Sequence, residues 1–224
     1  MKNILFVFDI DDTLTKSAQL HQEAFYKAML DLGIKKIDSN WGDYLHHTDS
    51  YIFQENYQQN FSSSFNPNLI AEFETRILHH LNIKLVHEIA GSVTLINTLQ
   101  QKGYGVCFAT GSLRVPALKK LDQIGLSYNP KLVIASNSIQ SREGIVSEAI
   151  RQSKLVYEKD FQQIISIGDG LWDLKTAQNL DLEFIGIGIK NKIILQNNGA
   201  KILYNDWLNF DLEKTLINLK GQKK

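Results

Sequence analysis

The apolar positions of this chain fall into short unbroken runs separated by longer stretches of mixed character. The runs are NILFVFD (3–9), YGVCFAT (104–110), KLVIAS (131–136), QIISIGD (163–169), LEFIGIG (182–188) and a weaker KILY (201–204). Their apolar residues are mostly consecutive rather than alternating. That is the pattern of strands buried on both faces, as in a parallel sheet covered by helices. Helical stretches lie between them: 91–102 closed by Gly103, about 115–124 closed by Gly125, 142–153, and 171–179. Regular alternation of strand and helix predicts an open, Rossmann-like α/β sheet.

Residues 16 to 90 break this rhythm. They hold no convincing strand and read as helices over 17–32 ending at Gly33, about 48–60 and about 67–82. The last has Asn66 as a candidate N-cap and Pro67 at the first helical position. All six histidines fall in this segment. The expected organisation is a core of 1–15 and 91–224, with an all-helical cap of 16–90 inserted after the first strand. Such an insertion stands above the carboxyl ends of the strands, where open α/β sheets bind ligands. The most loop-like stretch is QQNFSSSFNPN (58–68), and there is no internal repeat.

Composition narrows the function classes. The 224 residues carry 24 Lys plus Arg against 24 Asp plus Glu, so no global field recruits nucleic acid or an anionic membrane. The tail lysines Lys220, Lys223 and Lys224 read as a solvated end. The single Cys107 sits in an apolar run and is expected to be a buried, inert thiol. Asp9 interrupts the N-terminal apolar stretch before a signal-peptide core could form, and no run approaches a membrane span. The expectation is a cytoplasmic protein, monomer or homodimer, with a small-molecule substrate.

The chemistry is concentrated where strands end. In FDIDDTLT (8–15), Asp9, Asp11 and Asp12 follow a buried-type strand with no spacer. Like charges this close repel, and a divalent cation would offset the repulsion. Thr110 closes the second strand of the core, followed by Gly111 and Ser112. Asp169 closes the fourth, in GDGLWD, with Asp173 four residues on. In a parallel sheet these ends meet at one edge. Mg²⁺ takes oxygen ligands in a compact octahedron, commonly one or two carboxylates with phosphate and water. Each residue alone has a structural role available, as a turn former, helix cap or strand terminus. An EF-hand is excluded because the sixth position of a loop starting at Asp9 is Leu14, where that loop needs glycine. The inference rests on the ordered set DxDxT, ATGS and GDGxxD, each closing a predicted strand.

That set resembles the haloacid dehalogenase superfamily of phosphohydrolases. FDIDDTLT is similar to its first motif, ATGS to its second and GDGLWDLKTA to its fourth, and the helical insertion resembles that of the phosphoglycolate phosphatase-like branch. The resemblance implies an aspartyl-phosphate formed on Asp9, with Asp11 as the acid and base that serves the leaving group and then water. It implies Mg²⁺ held by Asp9, Asp169 and the Asp11 main-chain carbonyl, with Asp173 supporting the metal. Thr110 and the Gly111 amide would hold phosphate oxygens. As an acid Asp11 must be protonated, so its surroundings are expected to raise its pKa.

Two departures from the family pattern matter. No Lys lies between 132 and 153, where the family has its basic phosphate ligand. Arg142, opening a predicted helix in SREGIVSEAI, is taken as the substitute, with Lys154 as the fallback. Dehalogenases of the superfamily lack the second aspartate, so Asp11 argues against dehalogenation, and related transport ATPases need membrane helices. A phosphomutase using the same residues, or a binding protein that kept the fold, are the alternatives. The cap should choose the substrate, and HHTDSYIF (46–53) is its most suggestive stretch, with His47 or Thr48 facing the ligand. The adjacent pairs His46–His47 and His79–His80 match no zinc spacing. Ser112, Arg114 and Trp172 are further candidates for substrate contact.

Overall fold

The computed structural model describes residues 1–82 and 85–220. Lys223 and Lys224 of the basic tail lie outside the described residues. Among those described, the central sheet has six parallel strands: β1 (Ile4–Phe8), β4 (Gly105–Ala109), β5 (Val133–Ile134), β6 (Gln163–Gly168), β7 (Glu183–Ile187) and β8 (Leu203–Tyr204). Their spatial order is β5-β4-β1-β6-β7-β8, so β1 runs between β4 and β6. The chain matches the parallel α/β architecture its apolar runs predict.

Strand β1 explains why those runs are unbroken. Phe6 and Phe8 enter the cluster on one face of the sheet, with Val106, Phe108, Ile165, Ile167 and Trp207. Leu5 and Val7 enter the opposite cluster, with Cys107, Ala109, Ile145 and Ala149. Alternate residues of a strand point to opposite faces, so a strand covered on both sides must be apolar at every position. One face is covered by α4 (Ser92–Gln101) and α5 (Arg114–Gln123), and the other by α6 (Arg142–Val156). Helix α7 (Leu171–Asn179) follows β6. Gly103 and Gly125 follow α4 and α5 in left-handed conformation, as their positions predict. Cys107 is fully buried, and burial pushes its thiol up to about 12.

Residues between the first strand and α4 form α1 (Ala18–Asp31), α2 (Asp49–Asn60) and α3 (Leu69–Leu81) around their own apolar cluster. Phe73 lies at its centre, stacked on Phe53 at 4.0 Å and edge-on to Phe25 at 4.9 Å. The core contributes one residue, Leu113. Two expectations are corrected here. Helix α3 begins at Leu69, because Asn66, Pro67 and Asn68 form a turn in which Asn66 Oδ1 accepts from the Asn68 amide at 3.0 Å. The segment also carries strand residues. Thr15–Lys16 (β2) and His87–Glu88 (β3) pair antiparallel, a two-residue ribbon too short to show period-two alternation. It joins the two chain crossings between helical unit and core. Helices α8 (Lys192–Asn197) and α9 (Leu212–Lys220) add to the predicted elements.

Replacing Phe73 by alanine removes the ring on which both aromatic contacts converge. The expected cost is about 3–5 kcal/mol, read as a lower denaturant midpoint for the helical unit. A midpoint equal to wild type would show that this cluster does not hold the three helices together.

Candidate functional site

Asp9 leaves β1 with its amide still bonded to the Ile167 carbonyl of β6 at 2.9 Å. The chain then closes tightly: the amides of Thr13, Leu14 and Thr15 all donate to the Ile10 carbonyl. This turn sends Ile10 and Leu14 into the core, both fully buried, and so presents the intervening aspartates at the strand end. Trp207, far along the chain, donates from Nε1 to the Thr13 carbonyl at 2.9 Å and pins the turn from beneath. Asp12, in left-handed conformation, accepts from the amides of Ser17 and Ala18. It therefore serves the start of α1, the plain helix-cap role open to it.

Carboxylate oxygens of Asp9, Asp169 and Asp173 lie within 4.8 Å of one another. Asp9 and Asp173 are buried and Asp169 nearly so. Asp173 accepts from the Gly170 amide at 3.0 Å, and Asn191 donates to the Asp169 carbonyl at 3.1 Å. Arg142, 5% exposed, sits between two of the acids. Its Nη2 is 3.0 Å from Asp9 and also bonds Asp173. Its Nε is buried with no hydrogen-bond partner among the described residues. Burial, followed by the Asp173 charge and opposed by Arg142, pushes the Asp9 carboxyl up to about 7. Burial, with Asp173 and Asp9, raises Asp169 well above the ordinary range. Three crowded carboxylate oxygen donors, beside an orphaned buried guanidinium nitrogen, fit a hard divalent cation with an anion beside it.

The Asp11 carboxylate stands outside this group. Its Oδ1 accepts from Ser17 Oγ at 2.5 Å and its Oδ2 from Ser112 Oγ at 2.7 Å. Lys120 Nζ reaches both oxygens, at 2.7 and 2.6 Å. Burial alone would raise the Asp11 pKa, but the Lys120 ammonium and His21 outweigh it and hold the carboxyl well below the usual range. This reverses the expectation of a raised pKa, and the cause is a residue the sequence reading missed. Lys120 is fully buried on α5. The available signal was its register: it lies three residues after Ala117 and beside Leu121, on the face that packs inward.

A second unanticipated group couples the helical unit to this site. His21 Nε2 lies 2.9 Å from both Asp49 oxygens, and its Nδ1 is 3.4 Å from Lys120 Nζ. Asp49 also accepts from the Leu113 amide at 2.8 Å, and its own amide donates to the Gly111 carbonyl at 2.8 Å. A Cβ at Gly111 would collide with the His47 carbonyl, so this glycine permits the close approach of the two segments.

The other sequence candidates divide between the site and elsewhere. Thr110 and Gly111 line the cavity between helical unit and sheet, as do His47, Thr48 and Trp172. His47 stacks on Trp172 with ring centroids 4.8 Å apart. The Thr48 hydroxyl donates to the Gln140 carbonyl at 2.7 Å, so its proton is committed to the core. Arg114 does not line the cavity; its guanidinium bonds the carbonyls of Val133 and Pro130. Lys154 pairs with Asp160. His80 pairs with Asp31.

A carboxyl whose folded pKa is raised binds its proton more tightly folded than unfolded. Its stabilising contribution is present at low pH and is lost as pH rises from the ordinary 3.8 through about 7. Cation binding needs the ionised form. Scanning calorimetry should therefore show a Mg²⁺-induced rise in Tm over an EDTA control that is larger at about pH 8 than at about pH 5. Equal shifts at both would contradict the assignment of these carboxylates to a cation.

Residues 6–187 match the family model described as haloacid dehalogenase-like hydrolase. No curated protein matches the chain. Among solved structures, a hydrolase from Pseudomonas syringae superposes with TM-score 0.70 at 19% identity, over 95% of this chain and 97% of that one. CbbY from Rhodobacter sphaeroides, solved in complex with phosphate, gives TM-score 0.70 at 17% identity, over 93% and 96%. A predicted phosphoglycolate phosphatase from Haemophilus somnus gives 0.65 at 14%, over 96% and 99%. At these identities the likeness is one of fold.

Proposed function

The chain belongs to the haloacid dehalogenase-like hydrolases, and from that premise we propose that it is a Mg²⁺-dependent phosphatase of small phosphorylated metabolites. The observation that carries this reading is the meeting of Asp9 and Asp169, at the ends of the adjacent strands β1 and β6, with Asp173 and Arg142 from the first turns of α7 and α6, and with Asp11 held apart as a separate carboxylate. Asp9, Asp169 and the Asp11 main-chain oxygen, with Asp173 in support, would hold Mg²⁺, which when bound would supply the positive charge that offsets repulsion between phosphate and Asp9. Thr110, the Gly111 amide and Arg142 hold the remaining phosphate oxygens, and the unpartnered Arg142 Nε gains an acceptor.

In the first displacement an Asp9 oxygen bonds to phosphorus, the ester P–O bond breaks, and the leaving alkoxide takes a proton from Asp11. In the second, water attacks the aspartyl-phosphate, Asp11 takes the water's proton, and Asp9 is released. Held ionised beside Lys120, Asp11 has the form required for the second step. For the first it must be protonated, and the negative phosphate arriving beside it works against Lys120 in that direction. Asp11 also favours phosphate over halide as the leaving side, because halide needs no proton.

Residues 16–90 are, in this reading, a cap that closes over the site and excludes water, with the β2–β3 ribbon as its hinge. His47 reaches the substrate from the cap. Thr48 acts mainly as a latch onto the core.

The direct test is phosphate release from para-nitrophenyl phosphate with Mg²⁺ or EDTA. Wild type should be active only with the metal, and Asp9→Asn should lose at least about a thousandfold in rate. Retention of wild-type activity by folded Asp9→Asn would remove Asp9 as nucleophile. Lys120→Met gives an independent check on Asp11. Without the ammonium Asp11 takes up its proton at higher pH, so the acid limb of the kcat–pH profile, which reports the ionised base of the second displacement, should move to higher pH. An acid limb unmoved from wild type would mean that Lys120 supports the fold and not the proton affinity of Asp11.

A further inference from the structure

We infer that the site takes monophosphate esters of uncharged alcohols and rejects esters whose alcohol carries a second anionic group. This rests on the phosphatase reading and names the substrate class of the same site. The argument comes from the charge of the cavity wall opposite the phosphate.

The cavity holds about 340 Å³, a size suited to a small molecule. Its floor is the set of carboxylates, Arg142, Thr110 and Gly111. The opposite wall presents Gln22, Phe25, Trp41, His47 and Ile52 to the space where the alcohol must lie. Among the described residues of that wall there is no lysine and no arginine. His47 Nδ1 lies 3.1 Å from the Trp41 carbonyl, and burial lowers the pKa of this imidazole.

The positive features around the cavity are already answered by carboxylates of this chain. Asp12 takes the amides that open α1. Asp49 takes the Leu113 amide that opens α5, and pairs with His21. Asp11 takes Lys120, and Asp9 with Asp173 takes Arg142. Lys190 stands at the mouth on the core side, but it is exposed, and a solvated ammonium contributes little to anion binding. A second phosphate or carboxylate would therefore lose water against aromatic rings and near Asp12 and Asp49, with no counter-charge. An uncharged alcohol loses nothing comparable. It also gains two aromatic surfaces: Trp41, edge-to-face with Phe25 at 5.6 Å, and the His47–Trp172 stack.

The test uses matched esters that differ only by a carboxylate: phenyl phosphate against its para-carboxy analogue, and glycerol phosphate against phosphoglycerate. With Mg²⁺, kcat/KM for the uncharged member of each pair should be at least about tenfold higher. Calorimetric binding of the same four to Asp9→Asn should keep that order without turnover. Gln22→Lys, which places an ammonium on the bare wall, should narrow the ratio several-fold. Hydrolysis with the carboxylated member equal or preferred would overturn this inference and leave the phosphatase reading standing. If none of the four were hydrolysed or bound, the phosphatase reading would fall, and this inference with it.

Discussion

The site depends on one guanidinium shared between two buried carboxylates. Without Arg142, Asp9, Asp169 and Asp173 would be three acids in a poorly solvated pocket with no fixed cation among them. Removing one partner from a buried ion pair leaves an uncompensated charge, which costs far more than the pair contributes net. The geometry asks for a residue that stays charged under burial and reaches two oxygen acceptors at once. Arginine does both, and lysine in the same place would do neither as well. Burial still holds Asp9 and Asp169 above the ordinary carboxyl range, so the arrangement is suited to receive a cation and an anion together.

A second electrostatic group is built on the opposite principle. Asp11 is saturated by Lys120, Ser17 and Ser112, so the two aspartates of one short motif occupy unlike surroundings. Asp9 is pushed toward the neutral form and Asp11 toward the charged form. The order is the reverse of what an attacking Asp9 and a proton-donating Asp11 need, and a divalent cation beside Asp9 would lower its pKa and restore it. The His21–Asp49 pair ties this arrangement to the helical unit, because Asp49 opens α2 and also binds the loop after β4. Movement of the helical unit therefore disturbs the surroundings of Asp11 directly, without passing through the sheet.

Much of this was readable in the sequence. The unbroken apolar runs identified the strands of a sheet covered on both faces, because a strand buried on two sides has no polar position to spare. The acidic motifs sat at the ends of those runs, so a parallel sheet had to bring them to one edge. Arg142 was singled out through the family resemblance, which asks for a basic residue at a helix start where this chain has no lysine, and the fold brings it to Asp9 and Asp173. The short ribbon and the true start of α3 were not legible, since two-residue strands and a single asparagine turn leave no periodic signature.

What only the tertiary structure decided is which charges meet. Lys120 lies 109 residues from Asp11, and Asp49 lies 28 from His21. No local pattern relates such residues, and their pairing follows from how α1, α2 and α5 dock at the sheet edge. The sign of the Asp11 shift follows from that docking alone, since burial acts one way and an adjacent ammonium the other. The chain thus encodes the strands and their terminal acids through periodicity, which acts over a few residues. The state of each acid is set by neighbours that only folding assembles.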